Sequence, residues 1–339
     1  MSNMLNEMEK LPDNFLEVKA DQLLELLGRP TLIHLQGENS QPLFISTLLH
    51  GNETTGFYAV QKILKKYQQQ KLPRSLSIFI GNVEAAAVNL RRLDRQADFN
   101  RIWPGTEEDY LAEAHMMKQV VEIMSEKNVF ASIDIHNNTG LNPHYGCINV
   151  LDKKYLALAG LFSNTVVYFT SPKGVQSAAF ARICPSVTLE CGQSGQMDGV
   201  SHAAGFLDMV LNMDNLSVDV PEHINLYHTV ARVYVPEKYS FGFSDDATIN
   251  FYPDIEMYNF VELASGKLFA SIEPESQAFL QVLDDNDKDV SDEYFSVVNN
   301  QIVLAKTVMP SMLTVNTAAI RQDCLCYLME KISIPDQGL

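Results

Sequence analysis

Two rhythms of apolar positions run through the first 213 residues. Residues 42–49, PLFISTLL, form an apolar run of strand length. In the next stretch, TTGFYAVQKILKKYQQQ, Phe57, Val60, Ile63, Leu64 and Tyr67 recur at helical spacing with lysines and glutamines between them, which predicts an amphipathic helix. SLSIFIGN at 75–82 reads as a second strand, EEDYLAEAHMMKQVVEIMSEK at 107–127 as a helix, and ASIDIH at 131–136 as a third strand ahead of the polar loop NNTGLNPHYG. Beyond it, 155–164 reads as helix, 165–170 as strand, SVTLECG at 186–192 as strand before a Gly-rich loop, and 202–213 as a closing helix. Strands alternating with helices from about residue 30 to 213 predict an α/β fold, a mostly parallel mixed sheet flanked by helices.

The rhythm changes after NMDNLSVDVPEHINLY. YHTVARVYV, GKLFASI, FLQVL and QIVLAK are short strand-like pieces separated by turns rich in Asp, Asn and Gly. We therefore expect two domains, an α/β domain at 1–220 and a smaller β-rich domain at 221–339, and a chain of 339 residues is long enough for both. With 46% hydrophobic and 20% charged residues the chain can bury a core, so disorder is not expected. A formal net charge of −17 argues against nucleic acid or an anionic membrane as the main partner, though a pocket can carry the opposite sign. The N-terminus MSNMLNEMEKLPDN has no apolar signal-like core, and no apolar run approaches the roughly 20 residues that span a bilayer. Five cysteines, an odd number without a CxxC pair, fit reduced thiols and a cytoplasmic location. The oligomeric state is left open, a homo-oligomer included.

Chemistry gathers where the predicted strands end. In open α/β sheets, ligands bind outside the carboxyl ends of strands, and here four such ends carry His50, Asn82, His136 and Glu190. His50 and Glu53, in HGNE between a strand and a helix, combine with His136 of DIH into a two-histidine, one-glutamate set of the kind that holds catalytic zinc. The bland alternative has His50 capping a turn and Glu53 solvated in a first helical turn, where acids are favoured. Glu190 ends an apolar strand, a place suited to a general base and equally to a structural ion pair with an arginine. Arg91, Arg92, Arg95 and Arg101 crowd one loop of an acidic chain; Asn100 and Arg101 together can grip a carboxylate, while some of the four can be plain surface partners of acids.

HGNETTG, GN at 81–82, DFNR at 98–101, DIHNNTG at 134–140 and TLECG at 188–192 stand in the order found in the succinylglutamate desuccinylase/aspartoacylase family, a branch of the zinc carboxypeptidase-like fold, which the chain resembles over roughly residues 40–215. The resemblance implies one zinc ion per chain on His50, Glu53 and His136, with Glu190 as general base and then general acid. It implies that Asn100 and Arg101 bind the amino-acid carboxylate of a small N-acyl amino acid substrate. An arginine upstream of the NR pair assists the scissile carbonyl; RRLDRQADFNR is one residue longer than the family's spacing, which points to Arg92 first and Arg91 next. Arg182 is the candidate for reading the acyl group, at a shorter spacing than the family's, and Tyr252 or Tyr258 for completing the pocket from the C-terminal part. The resemblance thus implies a deacylase acting on an amide. A metallocarboxypeptidase shares much of this residue set, although the gap from Glu53 to His136 is short for one, and a binding protein with a vestigial site is a further alternative.

Overall fold

The computed structural model describes residues 4–216, 219–244 and 246–334. It divides into two compact units, one of Met1–Asn137 with His144–Asn225, the other of Asn138–Pro143 with Leu226–Leu339. Ser217 and Val218, in the stretch where the sequence changes rhythm, lie outside the described residues.

The first unit contains, in chain order, β1 (Asn6–Met8), α1 (Leu23–Leu27), β2 (Thr31–Leu35), β3 (Gly37–Thr47), α2 (Thr55–Lys66), β4 (Leu72–Ile80), α3 (Val83–Ala87), α4 (Ala112–Ser125), β5 (Ala131–Asn138), β6 (Tyr145–Ile148), α5 (Lys153–Phe162), β7 (Thr165–Tyr168), α6 (Gln176–Phe180), β8 (Ser186–Gln193) and α7 (Met197–Leu211). Its strands lie side by side as β1-β2-β4-β3-β5-β8-β6-β7. At the centre, β3 runs parallel to both β4 and β5, with Ser46 level with Asp134 and Thr47 with Ile135. Leu43–Thr47 and all of β5 are buried, and the polar residues among them, Ser46, Asp134 and His136 included, must find partners inside the fold.

The fold is the expected α/β class, and its mixed character has a local cause. Gln36 alone separates β2 from β3, too little chain for a helical crossover, and β2 accordingly pairs antiparallel with β4. No helix separates β5 from β6 either, and β6 pairs antiparallel with β8. The short elements β6, α3 and α6 show too little periodicity to read from sequence. The helix expected at 107–127 is confined to Ala112–Ser125, and the closing helix begins earlier than expected, at Met197.

The second unit is β-rich. Its strands are β9 (Asn225–Tyr234), β10 (Phe241–Gly242), β11 (Ile249–Phe251), β12 (Leu268–Ile272), β13 (Gln281–Asp284), β14 (Phe295–Val298), β15 (Gln301–Leu304), β16 (Met309–Ser311) and β17 (Cys326–Lys331). β9 lies between β13 and β17, both antiparallel to it, and β10-β11-β12-β15-β14 form a second sheet. Val233, Phe269, Ile302 and Leu328 belong to its core. The excursion 138–143 is pinned within this unit: Asn259 Nδ2 donates to the carbonyls of Leu141 and Leu313. Gly140 must be glycine, since a Cβ there would sit 1.9 Å from the Leu313 carbonyl oxygen.

Candidate metal centre

The HGNE turn begins where β3 ends. Glu53 N–H donates to the His50 carbonyl at 3.1 Å, which closes the turn and sets both side chains toward β5. Two glycines allow the close approach: a Cβ on Gly51 would lie 2.2 Å from the Ala86 nitrogen, and one on Gly56 would lie 2.7 Å from Thr47 Oγ1 and 2.8 Å from Ile135 Cβ. The N-terminal turn of α2 can therefore sit directly over the carboxyl ends of β3 and β5.

Glu53 becomes the hub. Its Oε1 lies 2.8 Å from His50 Nδ1 and its Oε2 lies 2.8 Å from His136 Nδ1. The backbone N–H of Asn137 donates to Oε2 at 3.1 Å. All three residues are buried, and one potential ligand atom from each falls within 4.8 Å of the others. The outer nitrogens of both imidazoles also meet carboxylates: His50 Nε2 lies 3.0 Å from Asp98 Oδ1, and His136 Nε2 lies 2.7 Å from Asp134 Oδ2. A histidine that donates Nε2–H to a carboxylate keeps Nδ1 for a metal, so the donor set of two Nδ1 atoms and a carboxylate oxygen fits a divalent ion.

Titration of the cluster follows its geometry. Burial raises the Glu53 carboxyl, but the facing imidazoles of His50 and His136 outweigh it and hold the group well below the carboxylate range. Burial lowers His136, and the carboxylates of Asp134 and Glu53 reverse that and raise it well above its ordinary value. Asp98 is likewise held far down against its burial by Arg91 and His50.

Glu190 sits on β8 level with Tyr145 of β6 and is buried. Burial pushes its carboxyl up to about 7; His136 pulls it down and Glu53 pushes it up further. A buried acid poised near neutrality beside a histidine–carboxylate cluster is suited to move protons in both directions.

The structure sorts the arginine loop. Arg91 forks onto Asp98 Oδ2, at 2.9 Å from Nη2 and 3.3 Å from Nε, and its Nη1 lies 3.7 Å from Glu53 Oε1. Arg92, expected first at the scissile carbonyl, donates Nη1 to the Gln96 carbonyl at 2.7 Å, while Arg91, expected next, lies against Glu53. Asn100 is buried, with Nδ2 3.2 Å from His136 Nε2 and Oδ1 accepting from the Gln176 backbone N–H at 3.0 Å. Arg101 donates Nη1 to the Asn100 carbonyl at 2.9 Å. Arg182 is exposed and lines a different cleft, with Tyr155, Asp152 and Cys184. Within the second unit, Tyr258 packs on Phe269 beneath Lys267, and Tyr252 is half-buried.

Sequence reasoning gave no role to Asp98, Asp134 or Asn137. The signal for Asp134 was present: residues two apart on a strand share a face, so DIH places a carboxylate beside the imidazole. Asp98 shows no such spacing to His50, and Asn137 meets Glu53 through its backbone N–H while its side chain donates to Thr55 Oγ1 and the Gly192 carbonyl.

The catalytic-domain model of the succinylglutamate desuccinylase/aspartoacylase family matches residues 39–213, just over half the chain. A search of curated protein sequences finds no match. Among solved structures, succinylglutamate desuccinylase from Chromobacterium violaceum superposes with a TM-score of 0.59 at 17% identity, covering 88% of this chain and 86% of that one. Murine aminoacylase 3 gives 0.56 at 15% identity, covering 87% and 96%. The ectoine utilization protein of Ruegeria pomeroyi gives 0.57 at 12%, covering 89% and 88%. At such identities the likeness is one of fold.

Proposed function

The chain belongs to the succinylglutamate desuccinylase/aspartoacylase family, and from that premise we propose that it is a zinc-dependent deacylase that hydrolyses the amide of a small N-acyl amino acid. The observation that carries the reading is the gathering of His50, His136 and Glu53 with one potential ligand atom from each within 4.8 Å of the others, each imidazole backed by its own carboxylate. One zinc ion on these three residues would supply Lewis acidity for activating water and polarising the amide carbonyl.

The remaining chemistry falls to the chain. Glu190 takes a proton from the attacking water and returns it to the leaving amine, a cycle that suits a carboxyl raised to about 7. Arg91, against Glu53, is the cation best placed to favour charge developing on the carbonyl oxygen. Arg92 shapes the loop through the Gln96 carbonyl, and Asn100 holds His136 and the start of α6 in register. Arg101 is the candidate reader of the substrate carboxylate, where its planar fork suits two-point recognition.

No helix among the described residues is long and apolar enough to cross a membrane. All five cysteines are buried, which fits work in a reducing cytoplasm. The test is a panel of N-acyl amino acids and dipeptides offered to the zinc-loaded protein. Hydrolysis of N-acyl amino acids is expected. Preferential cleavage of dipeptides would move the assignment to a carboxypeptidase, and zinc-loaded protein inert toward the whole panel would overturn catalysis altogether.

A further inference from the structure

Ser46 and Asp134 face each other across the central strands β3 and β5, paired in register, and neither exposes any surface. A hydroxyl and a carboxylate in so apolar a layer are costly unless each satisfies the other. Ser46 Oγ donates to Asp134 Oδ1 at 2.7 Å, and the other oxygen, Oδ2, lies 2.7 Å from His136 Nε2. The serine's single donor is thereby spent on orienting a carboxylate whose second oxygen faces a candidate ligand.

His136 Nε2 has a second neighbour, Asn100 Nδ2, at 3.2 Å. The two neighbours ask for opposite tautomers. A carboxylate only accepts, so Asp134 holds a proton on Nε2 and leaves Nδ1, which faces Glu53 Oε2 at 2.8 Å, as the nitrogen a metal would take in place of a proton; an amide nitrogen only donates, so Asn100 needs Nε2 bare and would confine the proton to Nδ1. Asp134 is closer and charged, and it prevails while its oxygen stays aimed at the ring.

We propose that Ser46 is a positioning residue for the metal centre: by fixing Asp134 Oδ1 it keeps Oδ2 on His136 Nε2, and so keeps His136 Nδ1 available beside Glu53 for a metal ion. This rests on the reading of His136 as a ligand. Removing the hydroxyl frees one carboxylate oxygen, lets the group turn, and opens Nε2 to the Asn100 amide. The relay runs from a strand neighbour through an aspartate to a ligand, without Ser46 touching metal or substrate.

The test measures zinc affinity by competition with a chromogenic chelator, for wild type, Ser46→Ala, Asp134→Asn and the double variant, with urea unfolding of each metal-free protein alongside. Asp134→Asn presents an amide to Nε2 and should weaken zinc binding roughly 10–100-fold, as loss of a partner behind a ligand typically does. Ser46→Ala should weaken it about tenfold. The double variant should bind like Asp134→Asn alone, because Ser46 acts only through Asp134. Zinc affinity unchanged in Ser46→Ala, or losses that multiply in the double variant, would overturn the relay. Should Ser46→Ala not fold, Ser46→Cys keeps the volume with a weak donor and must show the same loss and the same non-additivity. A wild-type protein without zinc affinity would overturn both the relay and the metal reading beneath it, whereas zinc affinity indifferent to Ser46 removes the relay alone.

Discussion

Glu190→Gln should make the metal-free protein more stable at alkaline pH while removing its catalysis. The wild-type carboxyl is buried and pushed up from 4.5 to about 7. The folded state therefore binds the proton more tightly than the unfolded chain. The favourable contribution of the protonated group is complete below about 4.5, declines as pH rises through 7, and is gone above it, where folding must bury a carboxylate. The shift spans 7 − 4.5 = 2.5 units, and at 1.36 kcal/mol per unit the folded state is penalised by about 3 kcal/mol above pH 8 relative to pH 4. Glutamine has the same shape and no titration. The stability difference between variant and wild type should accordingly move by about 3 kcal/mol in favour of the variant between pH 4.5 and pH 8.5, read from urea unfolding of chelator-treated protein; the comparison cancels the titrating groups that do not interact with Glu190. Turnover of the zinc-loaded variant should fall roughly 10²–10⁴-fold, the usual contribution of a general acid–base. A stability difference that does not change with pH would refute the raised carboxyl, and turnover within a few-fold of wild type would remove Glu190 from the proton transfers.

His136→Ala should abolish tight zinc binding, since it removes one of the three proposed ligands; metal analysis after gel filtration showing full occupancy would sink the assignment. Arg101→Ala should weaken a free-acid substrate far more than its methyl ester, by about 2–5 kcal/mol of transition-state binding if the pair is buried, with Arg101→Lys recovering only part; equal loss on acid and ester would mean a structural role. Arg91→Met should slow turnover more than Arg92→Met on the same substrate, because Arg91 is the one against Glu53; the reverse order in kcat would return the carbonyl role to Arg92. Arg74 is buried, stacks 3.6 Å over the Phe130 ring and donates to the carbonyls of Gln41 and Met213. Arg74→Ala should therefore cost roughly 3 kcal/mol in urea unfolding, and an unchanged unfolding midpoint would contradict its role as a tie.

The parts of the fold legible in the sequence were those with long, regular burial. α2 shows its helical stripe because one face packs and the other carries Lys62, Lys65 and Lys66 to solvent. β3 reads as a strand from its buried run Leu43–Ile45, and β5 from Ile133 and Ile135 alternating with Ser132, Asp134 and His136. The antiparallel placement of β2 and β6 was not legible, because strand direction depends on what the connection permits and not on the strand's own residues. Arg74 shows the same limit: in KLPRSLS nothing distinguishes it from a surface arginine, and only the carbonyls of residues 33 and 139 positions away make its burial tolerable.

The same reasoning divides the site. His50, His136 and Glu190 could be picked out because each is a chemically able side chain at the end of a predicted strand, and Glu53 because it stands three residues after His50 in the turn before a helix. Their supporting carboxylates could not all be found that way. Asp134 follows from period-two alternation once His136 is fixed, but Asp98 meets His50 across 48 residues, and only the folded loop brings its two oxygens between an imidazole and Arg91. The choice between Arg91 and Arg92 is of this kind as well. One residue's shift along a turn sends one guanidinium to Asp98 and Glu53 and its neighbour to a backbone carbonyl. Sequence order counts the arginines, whereas which acid each one reaches is set by the folded loop, and in this chain Asp98 holds His50 with one oxygen and Arg91 with the other.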